Sequence, residues 1–237
     1  MTHQRLTDRI VMVPTYNEAG TIRPLIDRIR EADPRSDILV IDDGSPDRTS
    51  DIVRTFSHCD GHVFLIFHPH KAGLGAAYSD GAAWAAEQGY ARIAQMDADL
   101  SHRPEELPAF WDALEACDLV IGSRFAPGGR AEQRTIPRRI VSYCGTAYAR
   151  RLLGLDHTDV TSGFRAYSRA TAKVMYGRPL QMRGYAFQIE TLYRATREGL
   201  RVTEIPIQFV ERGAGRSKFH AGLALEAVAK LHRLRND

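Results

Sequence analysis

Asp97 and Asp99 stand two residues apart at the end of an apolar run, within Ile-Ala-Gln-Met-Asp-Ala-Asp-Leu-Ser-His (93–102). On a strand, alternate residues point the same way, so the two carboxylates converge while Ala98 faces back. Two hard oxygen donors at one strand end suit Mg2+ or Mn2+, a cation that keeps its remaining positions for water and phosphate. By itself Asp-x-Asp is short, and a solvated turn is the competing reading. A second candidate is the basic, glycine-rich run Arg212–Lys218 (Arg-Gly-Ala-Gly-Arg-Ser-Lys). Its glycines allow close approach to a phosphate, which lysine meets as a point charge and arginine as a fork. A plain hairpin loop is equally compatible. The spacing is neither a Walker loop nor a dinucleotide fingerprint, and Lys71–Gly75 does not supply one either.

The surrounding elements must bring these groups together. Short apolar runs at Ile10–Pro14, Asp37–Ile41, His62–Phe67, Ile93 onward and Asp118–Ile121 read as buried strands. Helical segments separate them: one to about Ala32, one capped by Asp47 through about Phe56, an alanine-rich one to about Gln88, and Pro104–Ala116. Alternation of this kind implies right-handed crossovers, a mostly parallel sheet and helices on both faces. Ligands of such sheets bind beyond the carboxyl ends of the strands. Tyr16, Glu18, Asp43, Asp97 and Asp99 all fall there. The second half is less regular. Gly128-Gly129 reads as a mobile loop, and Thr161–Tyr167 and Arg201–Val210 as strands, the latter at an edge because of Pro206. Helices are expected at Ile136–Leu153, Tyr185–Glu198 and about Leu223–Leu234.

The chain has 237 residues, enough to bury a large core without a disulfide or zinc staple. Three scattered cysteines without metal spacing fit a reducing compartment. No signal peptide and no apolar run of membrane-spanning length is present. The net charge of +3 is mild, but arginine concentrates in the second half. Nucleic-acid binding is disfavoured, because no aromatics interleave with those arginines and the acidic site would repel a phosphate chain.

Six motifs occur in order: Val13–Glu18 (Val-Pro-Thr-Tyr-Asn-Glu), Asp42–Asp47 (Asp-Asp-Gly-Ser-Pro-Asp), Lys71–Gly75, Asp97–His102, Gly122–Phe125 (Gly-Ser-Arg-Phe) and Arg212–Lys218. The series resembles the inverting glycosyltransferases of the GT-A fold. It is most similar to dolichol-phosphate (polyprenol-monophosphate) mannose synthases, also through Ser162–Arg165 and Gly184–Gln188. The resemblance covers about residues 10–220. It implies one GT-A domain over 1–237, with a nucleotide-sugar half at about 10–122 and an acceptor and membrane-facing half at about 123–237. It implies transfer of mannose from GDP-mannose to a polyprenyl monophosphate. Pro14, Tyr16, Glu18, Ile41 and Asp43 would hold the guanosine. Asp97, Ala98 and Asp99 would line the donor pyrophosphate, with Mg2+ or Mn2+ on Asp97 and Asp99. Arg212 and Lys218 would close on that pyrophosphate. Arg124, Arg138 and Ser142 would grip the acceptor phosphate, with Asp99 and Arg124 as the catalytic pair. Where some relatives carry Gln as a further metal ligand, this chain has Ser101, a poorer ligand.

A phosphate monoester is already largely ionised near neutral pH, so no general base is expected. Asp159 reads as a turn or capping residue and Glu190 as structural. Arg130, Arg134, Arg138, Arg139, Arg150 and Arg151, beside Ile140, Tyr148 and Leu152, fit an interfacial helix on anionic lipid. The last helix either adds a second contact or packs on the core. The expectation is a peripheral protein on the cytoplasmic face of a membrane, alone or with a separate membrane-anchoring partner. A UDP-sugar-dependent sister activity and a non-catalytic nucleotide-sugar-binding protein remain as alternatives.

Overall fold

Short β-branched runs bounded by turn residues become strands in the computed structural model, which describes residues 7–132, 146–210 and 230–235. The expected β/α alternation is present: β1 (Arg9–Thr15), α1 (Ile22–Ala32), β2 (Asp37–Asp42), α2 (Thr49–Cys59), β3 (Val63–Phe67), α3 (Leu74–Glu87), β4 (Arg92–Gln95), α4 (Leu107–Leu114) and β5 (Leu119–Ser123). A 3-10 turn, Pro104–Glu106, leads into α4, because proline with two acidic residues starts a helix well but only as a tight first turn.

The second half adds β6 (Arg130–Glu132), α5 (146–153), β7 (Arg165–Ser168), α6 (Arg169–Tyr176), α7 (Phe187–Arg197), β8 (Val202–Pro206), β9 (Gln208–Val210) and α8 (230–235). The main sheet has seven strands in the order β3-β2-β1-β4-β7-β5-β8. All its pairings are parallel except those of β7, which runs antiparallel between β4 and β5. This is the helix-flanked, mostly parallel sheet expected of the GT-A fold.

Period-two burial sorts the strand residues to two faces. Ile10, Met12, Leu39, Ile41 and Ile93 join α3, α6 and α7 in one apolar layer. Val11, Val13, Val40, Ala94 and Val120 join α1 and α4 in the other, around Phe110 and Trp111.

Several expectations change. Arg201–Val210 is two strands, because Ile207 turns fully into the core between them. β8 is the outer strand next to β5, as Pro206 suggested, whereas β9 leaves to pair with β6. Only Arg165–Ser168 of the 161–167 run is strand, and helix α6, unexpected from the sequence, follows at once, capped by Ser168 Oγ accepting from Thr171 N–H. Gly128-Gly129 lies in a turn between β5 and β6, with Gly129 N–H donating to Ala126 O at 2.8 Å.

On α5 the inward face is Ala149 and Leu153 with Leu152 packed against the same core, while Tyr148 stays outside and meets His232 of α8 at 2.7 Å. Leu231 and Leu234 of α8 also enter the core. Leu152 is therefore not part of an outward stripe. Arg134, Arg138, Arg139, Ile140 and Ser142, and Arg212 to Lys218, lie outside the described residues. No helix among the described residues is long and apolar enough to cross a membrane.

A side chain at Gly122 would drive its Cβ to 2.7 Å from both Ile207 Cγ2 and Phe110 Cζ. Gly122→Ala is expected to cost about 1–3 kcal/mol by overpacking, read as a lower urea midpoint at unchanged slope.

Candidate active site

One rim of the sheet collects nearly every polar group of interest. The carboxyl ends of β1, β2, β3, β4 and β5 are followed by Tyr16, Asp43, His68, Asp97 and Arg124. Because β7 runs the other way, its beginning meets the same rim, and the 159–164 turn falls between the ends of β4 and β5.

At the β1–β2 end, Pro14 and Ile41 are paired neighbours. The Ile41 side chain is sealed in the core, so only its main chain is left for a ligand. Tyr16 is exposed, and Lys71 Nζ lies 3.3 Å from the centre of its ring, a close cation–π contact. Glu18 organises the start of α1: its carbonyl accepts from Thr21 and Ile22 N–H, and its Oε2 from Thr21 Oγ1 at 2.8 Å. Asp43 is buried and builds a loop. Its Oδ1 and Oδ2 accept from Ala72 and Gly73 N–H, both at 2.8 Å, and His68 Nδ1 lies 3.2 Å from Oδ1. The Asp43 carboxylate thus holds the segment that places Lys71 over Tyr16. Asp47 accepts from Ala19 N–H and from Thr49, joining the first and second loops.

At the end of β4, Ala98 turns back into the core, while Asp97 and Asp99 are half-buried. Leu100 adopts φ 63°, a left-handed conformation uncommon for a leucine. Asp99 Oδ1 accepts from Ser101 N–H at 3.0 Å. A Cβ at Gly163 would stand 3.2 Å from Asp97 Oδ1, so the glycine makes room for that carboxylate. The two carboxylates fit a divalent cation. Among the described residues no three His, Cys, Asp or Glu side chains group to hold a metal by themselves. A cation held by Asp97 and Asp99 would have to take its remaining ligands from water and phosphate, the habit of Mg2+.

Arg124 is held by Asp159 in a buried fork, Nε to Oδ2 and Nη2 to Oδ1 at 2.6 Å each, with the Arg124 N–H donating to Oδ2 as well. Nη2 also reaches Thr161 Oγ1 at 3.0 Å, and among the described residues Nη1 has no partner. Burial acts to raise the Asp159 carboxyl, but hydrogen bonds and charge from Arg124 outweigh it and hold it below the usual carboxylate range. Glu204 on β8 completes the support, its carboxylate accepting from Thr158 and Asp159 N–H at 2.8 Å each. Asp159 thus lies in a turn, as expected, and is also the counter-ion of Arg124.

Beneath the rim lies a buried polar layer. Gln95 Oε1 accepts from Tyr167 and Tyr176 hydroxyls, and its amide donates to Gly163 O and Gln188 Oε1. Arg165, fully buried and pushed down to about 10 by burial, donates to Ser162 O, Val160 O and Thr191 Oγ1. Glu190 is structural, as expected, accepting from Gln181 and Met182 N–H and pairing with Arg194 at 2.6 Å.

Sequence reasoning gave no role to His102. Its Nδ1 accepts the Asp97 N–H at 3.1 Å, and its ring packs on Phe164 and Phe209. Burial pushes its pKa down to about 4; Asp99 opposes the shift and Arg124 adds to it. Its place within the Asp97–His102 run was the available signal.

The chain matches the family described as Glycosyl transferase family 2 over residues 10–175. It is 42% identical to undecaprenyl-phosphate mannosyltransferase of Micrococcus luteus, over 94% of this chain and 92% of that protein. It is 40% identical to polyprenol monophosphomannose synthase of Mycolicibacterium smegmatis, over 94% of this chain and 84% of that protein. Among solved structures, glucosyl-3-phosphoglycerate synthase from Mycobacterium tuberculosis superposes with a TM-score of 0.71 at 22% identity, covering 96% of this chain and 80% of that one, a likeness of fold.

Asp159→Asn leaves the buried Arg124 guanidinium without its counter-charge and is expected to cost about 3–5 kcal/mol, measured by urea denaturation. His102 is neutral when folded, with a folded pKa of about 4 against about 6.5 unfolded. The unfolded chain therefore binds the extra proton between those values, and stability falls as pH drops from 6.5 towards 4, by roughly 3 kcal/mol. Denaturation at stepped pH reads the slope, and His102→Asn is expected to remove that share of it.

Proposed function

Because the chain belongs to glycosyl transferase family 2 and is a glycosyltransferase, we propose that it transfers mannose from GDP-mannose to a polyprenyl monophosphate, with inversion, giving polyprenyl-phosphate mannose and GDP. The observation that carries this reading is that Asp97 and Asp99 follow β4 and Arg124 follows β5 on one rim of the sheet, with the 159–163 turn between them pairing with Arg124 through Asp159 and abutting Asp97 at Gly163. Near-full-length identity to two proteins named for polyprenyl-phosphate mannosyl chemistry supports the acceptor class and the sugar.

In this reading Pro14, Tyr16, Glu18, Ile41 and Asp43 form the nucleoside wall, Tyr16 through its ring face and Asp43 through the loop it holds. Asp97, Ala98 and Asp99 line the pyrophosphate, and Asp97 and Asp99 would hold Mg2+ or Mn2+. Such a cation, when bound, neutralises charge on the departing diphosphate. Arg124 offers the acceptor phosphate its Nη1 edge, which has no partner among the described residues, since Asp159 and Thr161 fix the rest of the guanidinium. Arg138 and Ser142 complete that grip, and Arg212 and Lys218 the grip on the donor. An acceptor phosphate oxygen attacks the anomeric carbon as the carbon–oxygen bond to GDP breaks. No proton has to be removed, and the two buried acids nearby are committed elsewhere: Asp159 to Arg124, and Glu190 to main-chain N–H groups and Arg194. Catalysis is then positioning with charge stabilisation. The lipid acceptor places the chain at a membrane surface, peripherally on the cytoplasmic face, with or without an anchoring partner. Arg151 is exposed for such a contact, whereas Arg150 is turned to the Leu155 and Asp156 carbonyls.

The test is transfer of labelled mannose from GDP-mannose to a short polyprenyl phosphate, run with Mn2+ or Mg2+, with EDTA, and with UDP-glucose as rival donor. Product from GDP-mannose that EDTA abolishes is the expected result. Product from UDP-glucose alone would overturn the donor, and EDTA-resistant product would overturn the metal.

A further inference from the structure

The Asp97–His102 run folds back on itself. The Asp97 N–H donates to His102 Nδ1 at 3.1 Å, the Ser101 N–H to Asp99 Oδ1 at 3.0 Å, and the Val210 N–H to Ser101 O at 3.0 Å. Leu100 sits inside this loop at φ 63°. A non-glycine residue persists there only where its surroundings over-determine it. His102 is 2% exposed. Its ring stacks on Phe164 with centroids 5.2 Å apart and meets Phe209 edge-on at 5.5 Å. Phe164 directly follows Gly163, the residue whose missing side chain admits the Asp97 carboxylate. One imidazole therefore touches the main chain that carries Asp97, the turn that bounds its carboxylate, and the strand hydrogen-bonded to Ser101. Because Nδ1 accepts a main-chain hydrogen, it carries no proton and is not available as a metal ligand.

We propose that His102 is a positioning residue of the metal-binding turn: its Nδ1 fixes the Asp97 main chain and so sets the spacing of the Asp97 and Asp99 carboxylates. The inference rests on the proposed binding of a divalent cation by those two residues. A ring that merely filled the core would have no need of its acceptor, and two substitutions separate the roles. His102→Asn keeps an acceptor close to the Nδ1 position and removes the ring. His102→Phe keeps an aromatic ring and removes the acceptor.

The experiment titrates Mn2+ into each protein with GDP present, reading free Mn2+ by electron paramagnetic resonance, and separately measures GDP affinity in EDTA. Loss of a group that orients a ligand typically weakens metal binding by about 10–100-fold. His102→Phe is expected to lose at least about tenfold in Mn2+ affinity with GDP affinity in EDTA unchanged, while His102→Asn stays within about threefold of the parent. Parent-like Mn2+ affinity in His102→Phe, or an equal loss in His102→Asn, overturns the proposal, as does a parallel fall in metal-free GDP affinity. If His102→Phe does not fold, His102→Leu, which also lacks the acceptor, takes its place: about a tenfold loss of Mn2+ affinity beside parent-like His102→Asn supports the role, and parent-like affinity overturns it. A parent protein that binds no Mn2+ overturns the metal reading itself, an outcome distinct from a parent that binds and variants that bind equally well.

Discussion

A guanidinium buried against a carboxylate is the constraint on which the rim depends. Arg124 leaves β5 and must find a counter-charge out of water, and Asp159 supplies it with both oxygens. Desolvating two charges is tolerated only when geometry is close and the remaining lone pairs are satisfied. Here Thr161 joins the guanidinium, and Glu204 secures the main chain by accepting from the Thr158 and Asp159 N–H groups. The pair thereby ties the end of β5 to the turn entering β7, and Gly163 in that turn abuts Asp97. Acid and base sites of the rim are thus spaced by one short piece of chain.

The layer below explains why that piece can be rigid without being apolar. Gln95 uses both acceptor sites and both donors, which fixes its amide, and it carries Gly163 O. Arg165 donates to carbonyl and hydroxyl oxygens of the same turn and of α7. Polar networks whose members are well satisfied specify one arrangement, and here the Gln95 amide is fully used while Gln188 accepts through Oε1 and leaves its buried Nε2 without a partner among the described residues. At the end of β2 the logic repeats with a carboxylate: Asp43 spends both oxygens on the amides of the Lys71–Gly73 loop.

Much of this was legible in the sequence. The alternation of short apolar runs with helices fixed the parallel half of the sheet, and turn chemistry put Tyr16, Asp43, Asp97 and Asp99 at its carboxyl edge. What escaped was non-local. Nothing in Arg165–Ser168 says that it runs antiparallel between β4 and β5, since strand partners are chosen by three-dimensional packing. The break at Ile207 was hidden because a strand pattern of alternating residues does not report that two pieces join different sheets. Asp159 read as a turn residue because its partner lies 35 positions away. Ile41 and Leu152 look like surface-accessible candidates in a linear pattern but are packed inside. His102 was in plain view, and only its burial between two aromatic rings gives it a task.

The strand order also bears on how the chain is made. Within the described residues β5 pairs only with β7 and β8, both of which come later in the sequence. β4 likewise has one side open until β7 arrives. A nascent chain that has emerged through Ser123 therefore displays two apolar strands with unsatisfied edges, and no local hairpin can close them. Such edges invite pairing with other chains. Translation of the next forty-odd residues sets how long that exposure lasts, which makes the stretch between β5 and β7 the interval in which a chaperone has most to protect.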